Sequence, residues 1–239
     1  MSMKLSVVIP TYNEDRTLAQ VIEAVEGVEL CRELGQEIEK EIIVVDDGSI
    51  DSTPAILQGY AASPHIRAIR HDRNRGKGAA IRTGFAAVTG DIVIIQDADA
   101  EYDPVEYPRL LDPIVRGHAD VVYGSRLSGG RPQRVYLFWH LVGNRFLTLL
   151  TNILYNTTLT DMETGYKVFR REVVDGFRLR ENDFRIEPEM TAQVLRNPRL
   201  RVYEMPIAYY GRTYEEGKKI TWRDGFGALL TLLRCRWFA

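Results

Sequence analysis

The sequence predicts an α/β protein: one domain with a mostly parallel sheet and helices on both faces. Apolar, β-branched runs recur through residues 5–96 with helical patterns between them, the alternation from which parallel sheets are built. Each run opens into a loop rich in Asp, Asn, Gly or Pro, as strand ends do. A chain of 239 residues, 45% hydrophobic and 27% charged, is long enough and apolar enough for one large core.

In chain order, a strand is expected at Leu5–Ile9, opening onto Pro10-Thr11-Tyr12-Asn13-Glu14 and a helix over Thr17–Glu29 that Asn13 or Asp15 would cap. A second strand, Glu41–Val45, leads through Asp46-Asp47-Gly48-Ser49 to a helix over Ser52–Ala62, with Ser52 or Thr53 as cap and Pro54 in its first turn. Strand Ile66–Arg70 is followed by Asn74-Arg75-Gly76-Lys77-Gly78 and a helix over Lys77–Val88. Strand Ile92–Gln96 runs into Asp97-Ala98-Asp99. In such sheets ligands sit outside the carboxyl ends of the strands, so these four polar loops should share one rim.

Near residue 125 the pattern becomes less regular. A strand at Asp120–Gly124 and a basic turn at Arg126–Arg134 precede an apolar helix from about Val135 to Tyr155 and the segment TDMETGYKVFRREV. A helix at Pro188–Arg196, a strand at Leu200–Ile207, a basic run and a terminal helix at Trp222–Phe238 complete the chain.

Net charge of −2 gives no general electrostatic reason to bind nucleic acid. Cys31 and Cys235 lack metal-ligand spacing, so free thiols and a cytoplasmic setting are expected. The first strand is too short in apolar residues to read as a secretory signal. No stretch reaches the roughly 18 apolar residues that span a bilayer. The segments Val135–Leu154 and Phe226–Phe238 are instead expected to suit a membrane surface, on its cytoplasmic face.

Asp97, Asp99 and Glu101 alternate after a buried run, and would point the same way if the extended conformation continued. Carboxylates at a strand end suit Mg²⁺ or Mn²⁺, and Mg²⁺ is usually held by one or two of them plus substrate phosphates. A solvated acidic turn has the same letters; the other loops weigh against it. Two glycines and two cations in residues 74–78 open a helix, where backbone N–H groups favour an anion, although neither the phosphate-loop nor the dinucleotide spacing is present. Asp161 and Glu163 read either as a helix cap or as carboxylates near an acceptor, one of them a general base. Arg185, Glu187 and Glu189 either line an acceptor channel or simply start a helix at Pro188. Phe138, Trp139, His140 and Phe146 read as packed side chains.

In combination, SVVIPTYNE, VVDDGSIDST, NRGKGAAIRTGF and DADAEYDP, followed by YGSR, TDMETGYKVFRREV and GRTYEEGKKI, resemble family-2 glycosyltransferases of the GT-A fold, nearest the dolichyl-phosphate mannose synthase-like subgroup. The resemblance covers almost the whole chain and implies a nucleotide-sugar half to about residue 125 and an acceptor half beyond it. It implies that Pro10, Tyr12 and Glu14, with Asp46 or Asp47, contact the donor nucleotide, and that Lys77 lies in the same site. Asp97 and Asp99 would hold the donor diphosphate through Mg²⁺ or Mn²⁺, assisted by Glu101, where that subgroup more often has Gln. Arg126 and Arg212 would bind the acceptor phosphate, with Tyr136 where a further arginine is expected; Asp99, Asp161 and Arg126 are the catalytic candidates. The implied reaction is metal-dependent, inverting transfer of a hexose from a UDP- or GDP-sugar to a polyprenyl phosphate at a membrane surface. Transfer to a glycan hydroxyl, a nucleotidyltransferase and a non-catalytic nucleotide-sugar-binding protein are the alternatives.

Overall fold

Alternate residues of a strand face opposite ways, and in the central strands of this chain both sets are apolar, which requires cover on both sides. In the computed structural model, which describes residues 3–135, 137–211 and 222–237, that cover is helical. The strands are β1 (Met3–Thr11), β2 (Ile38–Asp46), β3 (Ile66–Arg70), β4 (Ile92–Ile95), β5 (Val121–Ser125), β6 (Lys167–Arg170) and β7 (Val202–Pro206). They form one sheet in the order β3-β2-β1-β4-β6-β5-β7, parallel except for β6, which runs antiparallel to both neighbours.

Leu5, Val7, Ile9, Ile42, Val44, Ile92, Ile94, Val122 and Val168 pack in one core with α1 (Leu18–Gly27), α2 (Leu30–Leu34) and α5 (Tyr107–Val115). Val8, Ile43, Val45, Val93, Ile95, Tyr123 and Phe169 pack on the other face with α4 (Lys77–Phe85), α7 (Arg171–Gly176) and α8 (Ile186–Arg196). A third, smaller core joins α6 (Phe138–Tyr155), α8 and α9 (Trp222–Trp237) through Leu147, Met162, Ala192, Ala228 and Leu232. The remaining helix, α3 (Thr53–Gly59), follows β2.

Several local expectations are corrected. The helix expected over Thr17–Glu29 breaks at Val28, which is extended, so α1 and α2 are separate. Asn13 does not cap α1; its Oδ1 accepts the N–H of Ile50 at 2.9 Å and ties the first polar loop to the second. Ser52 stands at the N-cap of α3 as expected but makes no side-chain cap bond; Asp51 Oδ1 accepts the Thr53 N–H at 3.0 Å instead. No helix starts at Thr160 or Asp161, and β6 lies where no element was expected. Helix α5 was hidden by Pro108 and Pro113; the first sits in its opening turn, where proline is tolerated. Cys31 and Cys235 are both free. Among the described residues no helix is long and apolar enough to cross a membrane.

Candidate active site

Strand β1 lies between β2 and β4, so the crossover direction reverses between β1 and β4, and a crevice opens at their carboxyl ends. A cavity of about 720 Å³ occupies this place. Pro10 at the end of β1, Tyr12 and Glu14 just after it, Asp47 after β2, Lys77 at the start of α4, and Asp97, Asp99 and Glu101 after β4 all reach its wall. From the second half come Arg126, Glu163, Glu187 and Tyr209, with Trp139 and His140 of α6, which the sequence suggested were merely packed.

The three acidic residues after β4 do not continue the strand. It stops at Ile95, Gln96 is buried with its Oε1 accepting the hydroxyls of Tyr107 and Tyr166 at 2.7 Å each, and Ala100 has a φ of 59°. A turn therefore carries Asp97 and Asp99 to the cavity. Asp97 Oδ1 lies 2.7 Å from Lys77 Nζ, and its Oδ2 sits against Gly165, where a Cβ would overlap it. Asp99 Oδ1 accepts the Glu101 N–H at 3.2 Å.

Glu101 Oε2 accepts the Tyr209 hydroxyl at 2.7 Å. With Glu101 turned to Tyr209, no three acidic, histidine or cysteine side chains among the described residues gather closely enough to hold a metal between them. Asp97 and Asp99 still fit Mg²⁺ or Mn²⁺, because a pair of carboxylates completed by substrate phosphate oxygens is a donor set that such hard cations take.

The two aspartates after β2 divide their roles. Asp46 is fully buried off the cavity; its Oδ1 accepts the Ser49 N–H at 2.8 Å, and Arg70 Nε lies 3.3 Å from its Oδ2. Asp47 accepts the backbone N–H groups of Arg75 at 2.9 Å and Gly76 at 2.7 Å, and lies 2.6 Å from His71 Nδ1. The far nitrogen of His71 is 2.9 Å from the Thr83 hydroxyl of α4, so a buried histidine locks Asp47 beneath the loop of residues 74–78. That loop is tight. Gly76 has a φ of 97°, and a Cβ there would run into the carbonyl oxygen of Asn182.

Arg126 and Asp161 form a buried, two-pronged ion pair: Nε donates to Oδ2 at 2.6 Å and Nη2 to Oδ1 at 2.7 Å. The Arg126 N–H and Asn144 Nδ2 also donate to this carboxylate, at 3.0 and 2.9 Å. Burial alone would raise the Asp161 carboxyl; the guanidinium and these hydrogen bonds hold it below its ordinary value. Asp161 has no face on the cavity, so the structure places it as the clamp behind Arg126. Glu163 is the carboxylate that reaches the cavity. Its Oε1 is buried without a hydrogen-bond partner among the described residues, and burial, opposed by Lys167 and reinforced by Glu187, pushes its carboxyl up to about 7. Arg212 and Tyr136 lie outside the described residues.

Sequence reasoning missed Lys167, His71 and Tyr209, and also Tyr102, which lines the cavity and whose hydroxyl accepts the Gly165 N–H at 2.9 Å. Lys167 is completely buried at the start of β6, donating to the Thr164 carbonyl and to Glu187 Oε2, the latter at 2.6 Å. A lone lysine heading the apolar run Val168-Phe169 was the available signal for a buried counter-charge. Of the three residues considered for an acceptor channel, Glu187 alone faces the cavity. Arg185 pairs with Asp183 at 2.8 Å, and Glu189 accepts the N–H groups of Arg180 and Glu181.

The mostly parallel seven-stranded sheet, with acidic and glycine-rich loops around its switch point, is of the GT-A class of α/β fold. The chain belongs to glycosyl transferase family 2, whose profile matches residues 6–177. It is 29% identical over 218 residues to the dolichol-phosphate mannosyltransferase of Pyrococcus furiosus, an alignment covering 90% of this chain and 59% of that protein. It is 31% identical over 217 residues to the undecaprenyl-phosphate 4-deoxy-4-formamido-L-arabinose transferase of Proteus mirabilis, covering 90% of this chain and 62% of that one. The chain thus spans less than two thirds of either relative. Glucosyl-3-phosphoglycerate synthase of Mycobacterium tuberculosis, in its crystal structure with Mn²⁺, UDP and phosphoglyceric acid, shares the fold with a TM-score of 0.74 at 20% identity, covering 99% of this chain and 80% of that one.

Proposed function

We propose that this protein is a metal-dependent, inverting hexosyltransferase that moves a sugar from a UDP- or GDP-sugar to a polyprenyl phosphate. The observation that carries this reading is the placement of Asp97, Asp99 and Lys77 in the same cavity as Arg126. In it, Pro10, Tyr12, Glu14 and Asp47 frame the nucleotide, with Asp47 also holding the loop that presents Lys77 to the diphosphate. Asp97 and Asp99 hold Mg²⁺ or Mn²⁺, which neutralises charge developing on the leaving diphosphate. Arg126 and Arg212 orient the acceptor phosphate, since guanidinium groups make two-pronged contacts with phosphate oxygens. A phosphate monoester has a second pKa of about 6, so it presents an anionic oxygen near neutral pH and needs no base.

The names of the Pyrococcus and Proteus relatives support a lipid-phosphate acceptor. So does the outer face of α6, where Phe138, Trp139, Val142, Phe146, Leu149 and Ile153 are exposed along one side while Trp139 also borders the cavity. Such a face suits peripheral contact with a membrane from which a lipid-linked acceptor is drawn. A hydroxyl acceptor is the second reading, favoured by Glu163 in the cavity wall, whose Oε1 has no hydrogen-bond partner among the described residues and whose carboxyl burial pushes up to about 7, towards the range that suits a general base. The test is a product assay across UDP- and GDP-sugars with polyprenyl phosphate, with and without EDTA. Metal-dependent release of nucleoside diphosphate together with glycosylated lipid phosphate is expected. Pyrophosphate release from a nucleoside triphosphate, or no turnover with any donor, would reject the reading.

A further inference from the structure

Lys77 sits between two carboxylates, 2.7 Å from Asp97 Oδ1 and 3.1 Å from Glu187 Oε1. Among the described residues Asp97 makes no other side-chain ion pair, and its second oxygen is closed in by Gly165. Glu187 is held differently: its other oxygen is pinned by Lys167, which is fully buried and anchored to the Thr164 carbonyl. The four charges therefore form a chain of alternating sign, Lys167, Glu187, Lys77 and Asp97, with a fully buried end in the core and a partly exposed end at the cavity. An ammonium that occupies Asp97 Oδ1 competes with any cation that would bind there. If that cation arrives, Lys77 keeps Glu187 as a partner, so it is not left unpaired in a partly buried site.

We propose that Lys77 is the resident counter-cation of Asp97, that it gives up this carboxylate when a divalent ion binds, and that Glu187 retains it so that its ammonium then faces the donor phosphates. This rests on the metal-dependent reading above. It makes Lys77 oppose the metal before the donor arrives and favour the nucleotide afterwards, and it gives Lys167 and Glu187 a positioning role.

Mn²⁺ binding to the nucleotide-free protein, followed by the electron paramagnetic resonance of the free ion, tests the competition. Lys77→Met should bind Mn²⁺ about tenfold more tightly or better, the scale on which a charged partner shifts a carboxylate equilibrium, while its affinity for UDP or GDP in the presence of Mn²⁺ falls. Arg126→Gln, confirmed folded by its melting curve, should change Mn²⁺ affinity less than about twofold, because Arg126 is engaged by Asp161. Unchanged Mn²⁺ affinity in Lys77→Met, or equal tightening in Arg126→Gln, overturns the proposal.

The unaltered protein offers a second readout. Its lysines are Lys4, Lys40, Lys77, Lys167, Lys218 and Lys219, few enough for the ammonium signals to be assigned by nitrogen-15 NMR. Addition of Mg²⁺ should shift Lys77 and leave Lys167 in place, and Glu187→Gln should remove the Lys77 signal from the Mg²⁺-loaded protein through fast exchange with water. A Lys77 signal unmoved by Mg²⁺ overturns the hand-off, and its persistence in Glu187→Gln overturns the part assigned to Glu187. Mn²⁺ binding without any effect of Lys77 would reject this inference alone. Failure of every variant to bind Mn²⁺, alongside nucleoside diphosphate release that survives EDTA, would reject the metal reading with it.

Discussion

Glu163 is a half-buried acid whose Oε1 is buried with no hydrogen-bond partner among the described residues, and its effect on stability has a definite sign. Its carboxyl is pushed from the ordinary 4.5 up to about 7, so the folded state holds the proton more tightly than the unfolded chain. The stabilisation is complete below about pH 4.5 and is lost as pH rises through about 7; above that, the buried charge costs up to a few kcal/mol. Glu163→Gln should therefore melt close to the parent near pH 4.5 and increasingly above it towards pH 8. A difference in melting temperature that does not change with pH would remove the burial argument. With polyprenyl phosphate as acceptor the same variant should keep kcat within about tenfold, whereas loss of the 10²–10⁴-fold typical of a positioned base would move the acceptor to a hydroxyl. Asp99 carries a separate expectation: Asp99→Ala should lose about 10²-fold or more of the metal-dependent turnover in the product assay. Retention of full activity would exclude it as a ligand.

The loop that joins β3 to α4 behaves as a unit, because Asp47 takes two of its N–H groups and residues 181–182 press on its glycines. Gly76→Ala introduces a side chain at a φ of 97° against a backbone carbonyl that cannot turn aside. Strain of this kind costs about 1–3 kcal/mol, and the displaced loop should also weaken UDP or GDP binding. Denaturant titration with nucleotide binding checks both, and an unperturbed variant would show that the loop can shift as a body. Helix α6 is two-sided: Leu147 and Thr148 are buried while Phe146 and Ile153 are 57% and 69% exposed. Phe146→Glu with Ile153→Glu should leave stability within about 1 kcal/mol, since surface changes are usually within 0.5 each. Flotation with anionic vesicles should nonetheless fall, and undiminished flotation would exclude this face as the membrane contact.

Across the molecule, strands from both halves of the chain share one sheet, so the loops of the first half and the Arg126 side are carried by one frame. A ligand held by both should stabilise all of it. Mn²⁺ with UDP or GDP at 100 times its dissociation constant is expected to add about 2.7 kcal/mol to stability, read as a rise in melting temperature that EDTA abolishes. Strands β1, β2 and β4 were legible in the letters because double-sided burial writes continuous apolar runs, β3 at the sheet edge by its alternation, and the rim because turn residues announce strand ends. Strand β6 was not legible: it spans only Lys167–Arg170 and has a cation at each end, a pattern that acquires a strand's meaning only between β4 and β5. The acidic residues show the same division. Their places in the chain mark the rim, but whether Asp46 or Asp47, and Asp161 or Glu163, turns to the cavity depends on partners such as Arg126, 35 positions from Asp161, and Asn144, 17 positions from it. Hydrophobic alternation and turn chemistry are local and can be read along the chain, whereas a buried carboxylate takes its role from whichever charge the packing brings beside it.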